Sequence, residues 1–195
     1  MIGEEAERAT EKKADSTGDP YEDFPDDLST KPDAAEIVKI ASDLKGFGNS
    51  AFKVGNLSTG LDKYQKGLRY LNATPIVSEG NAEDIKKSLN SLRFTLNSNS
   101  ALLSNKLKDY DEGLRTATEA LNVPDITDAE KAKALFRRAI AYIGLKDDEL
   151  ALKDLEQANT LVPNDGAVVK ELADLKKKAS DRIKKDRAIY SKAFA

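Results

Sequence analysis

Apolar residues recur every three or four positions along most of the chain, from about residue 34 onward. This spacing places them on one face of an α-helix, and polar and turn-forming residues separate one such run from the next. The last run extends from Gly166 to about Lys192, with an apolar stripe formed by Val169, Leu172, Leu175, Ala179 and Ile183. The pattern predicts an all-α protein that ends in a long helix.

The helical runs also repeat one another. The first unit has Leu44, Phe47, Gly48 and Ala51, then Gly55 at a turn, then Gly60, Tyr64, Gly67 and Leu68. Matching positions in the second unit are Ala101, Tyr110, Gly113, Leu114, Ala117 and Ala120. Those in the third are Ala139, Tyr142, Ala151, Leu152, Leu155, Ala158 and Pro163. A helix–turn–helix unit with a period of ~34 residues is typical of tetratricopeptide repeats.

The spacing of the units predicts the domain organisation. We expect three tetratricopeptide repeats at about residues 41–74, 94–127 and 132–165. An insertion at about 75–93 follows the first repeat, and a C-terminal capping helix covers 166–195. Asn81 is a candidate cap for a long third helix from near Ala82 to about Leu107, and Thr127 or Asp128 for the fifth helix. Such repeats stack into a right-handed solenoid whose groove is lined by the first helix of each pair.

Composition narrows the function classes. The 195 residues include no cysteine and no histidine. This excludes a disulfide framework and thiolate metal sites, and it removes the usual general base and nearly every zinc site. We therefore expect no metal, no cofactor and no catalysis by this chain. No apolar stretch reaches the ~18 residues of a membrane span, and the start MIGEEAERATEKK argues against a secretory signal.

Charge is distributed unevenly. Residues 1–33 are rich in acids and lack apolar periodicity, which predicts a flexible acidic linker. Within this linker, Tyr21 and Phe24 either form a short docking segment or are incidental aromatics. The basic stretch Lys176–Arg187 allows contact with calmodulin or an anionic surface, but interspersed acids favour a solvated capping helix. Nucleic-acid binding is disfavoured because no aromatic platform accompanies the bases.

Five polar residues recur at matching depths of the first helices: Lys45, Asn49, Asn99, Lys133 and Arg137. Lys45 and Asn49 are four residues apart, as are Lys133 and Arg137, so each pair shares one helix face. Apart from two amide oxygens this set consists of hydrogen-bond donors, and its natural complement is a carboxylate. The pattern predicts a groove that binds the acidic end of another protein.

Three neighbouring residues need separate interpretation. Lys106 lies two turns after Asn99 and either adds charge to the groove or is an ordinary solvated lysine. Arg138 diverges from Arg137 by ~100° around the helix, so we expect a structural role. Counting back from Tyr110 places Asn99 at the site, so Asn97 is expected to face a neighbouring helix or a loop.

The motifs LKGFGN (44–49), NSALLSNKLKDY (99–110) and KALFRRAIAY (133–142) resemble tetratricopeptide domains of the carboxylate-clamp class. With YEDFPDDL (21–28), the long insertion and the ending KKDRAIYSKAFA (184–195), the chain resembles the C-terminal part of cyclophilin-40-type immunophilins, especially fungal ones.

The resemblance implies a cytoplasmic co-chaperone module. In that family the clamp receives the Met-Glu-Glu-Val-Asp ending of heat-shock protein 90, and Lys45, Asn49, Asn99, Lys133 and Arg137 match its five positions. The prolyl isomerase domain of the family would precede residue 1, so isomerase activity would belong to a longer parent. The alternative function is a scaffold that acts through the convex face or the basic terminal helix. The resemblance does not decide whether the groove also binds the seventy-kilodalton heat-shock chaperone.

Overall fold

The computed structural model describes residues 32–72 and 82–193. Within these ranges the regular elements are seven α-helices: α1 Ala34–Lys53, α2 Leu57–Asn72, α3 Ala82–Lys106, α4 Tyr110–Leu121, α5 Asp128–Gly144, α6 Asp148–Leu161 and α7 Gly166–Ala193. The all-α prediction is confirmed for this part of the chain. The predicted acidic linker up to Lys31 and residues 75–81 of the predicted insertion, with the Asn81 cap, lie outside the described residues. The rest of the predicted insertion, residues 82–93, forms the first part of α3.

Side-chain caps explain where several helices begin. The Asp33 carboxylate accepts a hydrogen bond from the Glu36 amide at 2.8 Å, which satisfies one of the free amides at the start of α1. Of the two candidates for α5, Thr127 is the cap: its hydroxyl accepts from the Glu130 amide at 3.2 Å. The Glu130 carboxylate accepts in return from the Thr127 amide at 2.9 Å, which completes a capping box.

The three helix pairs share one turn geometry. Gly55, Lys108 and Lys146 have φ angles of 83°, 64° and 66°, and each follows the first helix of its pair. The residue after each of them donates its amide to the carbonyl five positions back, at 2.9 Å in all three pairs. This is the Schellman motif, in which a left-handed residue ends the helix and satisfies its last carbonyls. The first helix of each pair therefore ends in the same way.

Close helix packing depends on small residues. A Cβ atom on Gly48 of α1 would overlap the ring of Tyr64 on α2, and one on Gly67 would lie 2.9 Å from Leu96 of α3. Tyr64 and Leu96 are buried. The first helices contact one another in order, α1 with α3 and α3 with α5. They form the inner layer of the solenoid, and the side chains on their shared face define the groove.

Helix α7 covers the end of the last pair. Val168 and Leu175 are buried in one cluster with apolar residues of α5 and α6, including Leu135 and Leu155. Further along α7, Ile183 is exposed. The sequence predicts this helix from Gly166 to about Lys192, and the structure extends it to Ala193.

The fit of Gly48 against Tyr64 can be tested with a matched pair of α1 glycines. We expect Gly48→Ala to lower the free energy of unfolding by about 1–3 kcal/mol, because the added methyl overpacks the α1–α2 contact. Gly46→Ala should leave stability equal or raise it by up to about 1 kcal/mol, because a methyl group added at Gly46 would meet nothing within 4 Å and alanine favours the helix. Urea unfolding monitored by circular dichroism measures both. Equal effects of the two substitutions would contradict the packing argument.

Candidate functional site

The first part of the site lies on α1. Asn49 is half-buried one turn after Lys45, which is also half-buried, and both project from the same helix face. The Asn49 carboxamide oxygen accepts a hydrogen bond from the Tyr64 hydroxyl at 2.7 Å. The Asn49 side chain is therefore held by a hydrogen bond from α2.

The second part joins α3 to α5. The Arg137 guanidinium donates through Nη1 to the Ser98 hydroxyl and to the Asn99 carboxamide oxygen at 3.4 Å. In the opposite direction, Asn105 Nδ2 donates to the Arg137 carbonyl at 2.7 Å. These bonds set the position of α5 against α3, and they bring Asn99 and Arg137 together as the sequence predicts.

Tyr64 is the member of the site that sequence reasoning missed. Its position in the repeat pattern indicates only packing, yet its hydroxyl donates to the Asn49 carboxamide oxygen at 2.7 Å. Burial raises the pKa of Tyr64, while the Asn99 hydrogen bond and the Arg137 charge act in the opposite direction. The signal available in the sequence was a tyrosine where phenylalanine would pack as well, since a buried hydroxyl requires a partner.

Arg137 carries the most unusual charge in the site. The residue is 8% exposed, and burial lowers the pKa of its guanidinium to about 10, an effect that the Tyr64 phenol opposes. The side chain therefore stays positively charged at neutral pH. Its hydrogen-bond acceptors are neutral oxygens, and the described residues give it no carboxylate partner.

The lysines of the predicted site differ in exposure. Lys133 is exposed one turn before Arg137. Partial desolvation lowers the pKa of Lys133, the Arg137 charge lowers it further, and Glu130 opposes both. Lys106 is exposed at the last position of α3, so a contribution to the groove stays a prediction for this residue.

Two sequence predictions about neighbouring residues are confirmed. Arg138 points away from Arg137 and forms a two-point ion pair with the buried Asp154, with distances of 2.7 and 2.8 Å. Asn97 is buried and lines a cleft with residues of α2 and α4, among them Gln65 and Arg115, away from the inner layer.

An apolar pocket of about 470 Å³ adjoins the cationic residues. Leu102 of α3, Phe136 of α5 and Val168 of α7 contribute to its wall. The charged residues of the wall are Lys133, Arg137 and Asp165. Positive charge thus lies directly beside a space that suits an apolar side chain.

The basic stretch of α7 is partly neutralised within the domain. Lys176 lies 3.1 Å from the Glu156 carboxylate and Lys178 lies 2.6 Å from the Asp148 carboxylate, both on α6. These pairs fit a solvated capping helix. Over residues 32–72 and 82–193, no group of acids suitable for a metal ion is found, and none of the helices there is long and apolar enough to cross a membrane.

Comparisons with known proteins define the class. No protein-family model matches the chain. The C-terminal TPR-containing domain of a Plasmodium falciparum FK506-binding protein superposes with a TM-score of 0.69 at 23% identity, over 79% of this chain and 97% of that one. The first TPR domain of Spaghetti (RPAP3), solved with the HSP90 peptide SRMEEVD bound, gives 0.58 at 24% identity, over 73% and 95%. The chain is a tetratricopeptide-repeat domain.

Comparison of sequences identifies relatives more specifically than comparison of folds. Peptidyl-prolyl cis-trans isomerase D of Cryptococcus neoformans is 39% identical over 198 residues, covering 97% of this chain and 52% of that protein. The chain is thus related to the fungal peptidyl-prolyl cis-trans isomerase D proteins, and it spans about half the length of this curated relative.

The structural role of Arg138 gives a stability prediction. Arg138→Ala should lower the free energy of unfolding by about 3 kcal/mol, because it leaves the buried Asp154 carboxylate without its partner. Adding Asp154→Leu in the same chain should recover part of this loss. Thermal unfolding of both variants measures the effect, and an Arg138→Ala midpoint equal to that of the unsubstituted chain would contradict it.

Proposed function

We propose that this chain is the peptide-binding module of a co-chaperone and that its groove clamps the C-terminal tail of heat-shock protein 90. The ligand-binding residues are Lys45, Asn49, Asn99, Lys133 and Arg137, with Lys106 further along the groove. The tail offers two carboxylates at its last aspartate, one from the side chain and one from the main chain. Cations and carboxamides are the donors that such a group requires.

The observation that carries the proposal is the charge of Arg137. A buried cation that contacts only neutral oxygens is costly, and the cost is offset when a carboxylate comes within hydrogen-bond distance. Lys133 lies one turn away and Asn99 already contacts the guanidinium at 3.4 Å. A ligand carboxylate at this point would meet several donors from α1, α3 and α5 at once.

The neighbouring apolar pocket supports a peptide ligand over a free anion. Its volume of about 470 Å³ accommodates an apolar side chain from the last residues of the tail, such as valine or methionine. The Spaghetti (RPAP3) domain, which shares the fold, was solved with an HSP90 peptide that ends in EEVD. A domain of human RPAP3 was solved with an HSP70 peptide that also ends in EEVD, so the seventy-kilodalton chaperone is the second partner to test.

The sequence relatives also suggest what kind of longer protein this chain serves. Because those relatives are named as isomerases and the chain spans about half of their length, we propose that it serves a longer peptidyl-prolyl isomerase. In this proposal the chain itself performs no catalysis and recruits the isomerase to a chaperone in the cytoplasm.

A calorimetric titration with the pentapeptide Met-Glu-Glu-Val-Asp tests the function. The free-acid peptide should bind and its C-terminal amide should bind at least tenfold more weakly, because the amide removes one of the two carboxylates. Affinity should fall as salt rises, since the exposed Lys133 is screened. Equal binding of the two peptides would contradict a carboxylate clamp.

The role of Lys133 has a matched control on the same helix. Lys133→Ala should weaken free-acid peptide binding by about 2–5 kcal/mol, because it removes the partner of a carboxylate that the complex would bury. Thermal unfolding of the unbound chain should change little, because Lys133 is exposed there. Lys131→Ala, two positions earlier and therefore turned to another side of α5, should bind like the unsubstituted chain. The same loss in both variants would indicate a general charge effect and no specific contact.

A further inference from the structure

Two carboxamides of the site accept hydrogen bonds through their oxygens, and this decides how each side chain is turned. A guanidinium only donates hydrogen bonds. The Asn99 side chain therefore presents its carboxamide oxygen to Arg137, as observed at 3.4 Å. The Asn99 oxygen is thereby turned towards Arg137.

Tyr64 makes a comparable contact with the other carboxamide of the site, that of Asn49. The Tyr64 hydroxyl donates its hydrogen to the Asn49 carboxamide oxygen at 2.7 Å. This hydrogen bond fixes which end of the Asn49 carboxamide faces Tyr64.

The Asn49 carboxamide also carries an amino group, which this hydrogen bond does not use. A carboxamide can present either its oxygen or its nitrogen, and the two ends have nearly the same shape. With the Asn49 oxygen engaged by Tyr64, the amino group on the other side is directed to the half-buried face that it shares with Lys45. A carboxylate needs a donor at this point, whereas an oxygen there would repel it.

We propose that Tyr64 is a positioning residue that holds the Asn49 carboxamide with its amino group towards the groove, and that this orientation gives the site its preference for a carboxylate over a carboxamide. The inference rests on the proposed function. The Tyr64 ring is suited to the role, because it is 2% exposed and is packed against the backbone at Gly48, where a side chain would collide with it. Its hydroxyl therefore cannot swing away without displacing the ring.

Tyr64→Phe tests the proposal, because it removes the hydroxyl and keeps the ring. The free-acid pentapeptide should bind roughly tenfold more weakly, the effect of losing about one hydrogen bond. Binding of the C-terminal amide should stay the same, so the ratio of the two affinities falls. Tyr110→Phe is the matched control, because the Tyr110 ring also packs on a glycine, Gly144, and it should leave both affinities unchanged.

A measurement without peptide separates this inference from the proposed function. Side-chain amide resonances of Asn49 in ¹⁵N-labelled protein should indicate an ordered carboxamide in the unsubstituted chain and a mobile one in Tyr64→Phe. If the unsubstituted chain binds neither peptide, the clamp fails, and the Asn49 resonances alone decide the positioning role. Unchanged Asn49 resonances, or an equal loss of affinity for the acid and the amide, would overturn the proposal.

Discussion

The buried positive charge of Arg137 is the constraint on which the site depends. Its guanidinium is held by Ser98 and Asn99, and its main-chain carbonyl by Asn105. Burial costs a cation its hydration, and hydrogen bonds to neutral oxygens replace only part of it. In the proposed function a ligand carboxylate supplies the stabilisation that is missing within the described residues, so the feature that is costly in the unbound domain would favour binding.

The repeat architecture makes this arrangement available. The same type of helix-ending turn, at Gly55, Lys108 and Lys146, joins the two helices of each pair. The first helices α1, α3 and α5 contact one another in that order. Close contact between Gly48 and the Tyr64 ring then brings the Tyr64 hydroxyl up to α1. Tyr64 therefore takes part both in the packing of α1 against α2 and in the hydrogen bonding of the site, so a change in the helix packing would also change the site.

Helical spacing was enough to predict much of this from the sequence. It predicted that Arg138 turns away from Arg137 and that Asn97 faces a neighbouring helix or a loop. The candidate cap at Asn81 added a start of α3 near Ala82, where the structure has it. Periodicity assigns a residue to a face of a helix but says nothing about depth, which depends on the angle and distance between helices. For this reason the near-complete burial of Arg137 and the polar role of Tyr64 were not predicted. The Arg138–Asp154 pair was beyond reach for the same reason, because Asp154 is 16 residues away on another helix.

Whether a ligand carboxylate completes the environment of Arg137 is decided most directly by a crystal structure of the domain with the free-acid pentapeptide bound. Our account predicts carboxylate oxygens of the last aspartate within ~3 Å of the Asn49 amino group and of the Lys133 or Arg137 nitrogens. A peptide terminus bound elsewhere on the solenoid, with Arg137 still contacting only Ser98 and Asn99, would contradict it.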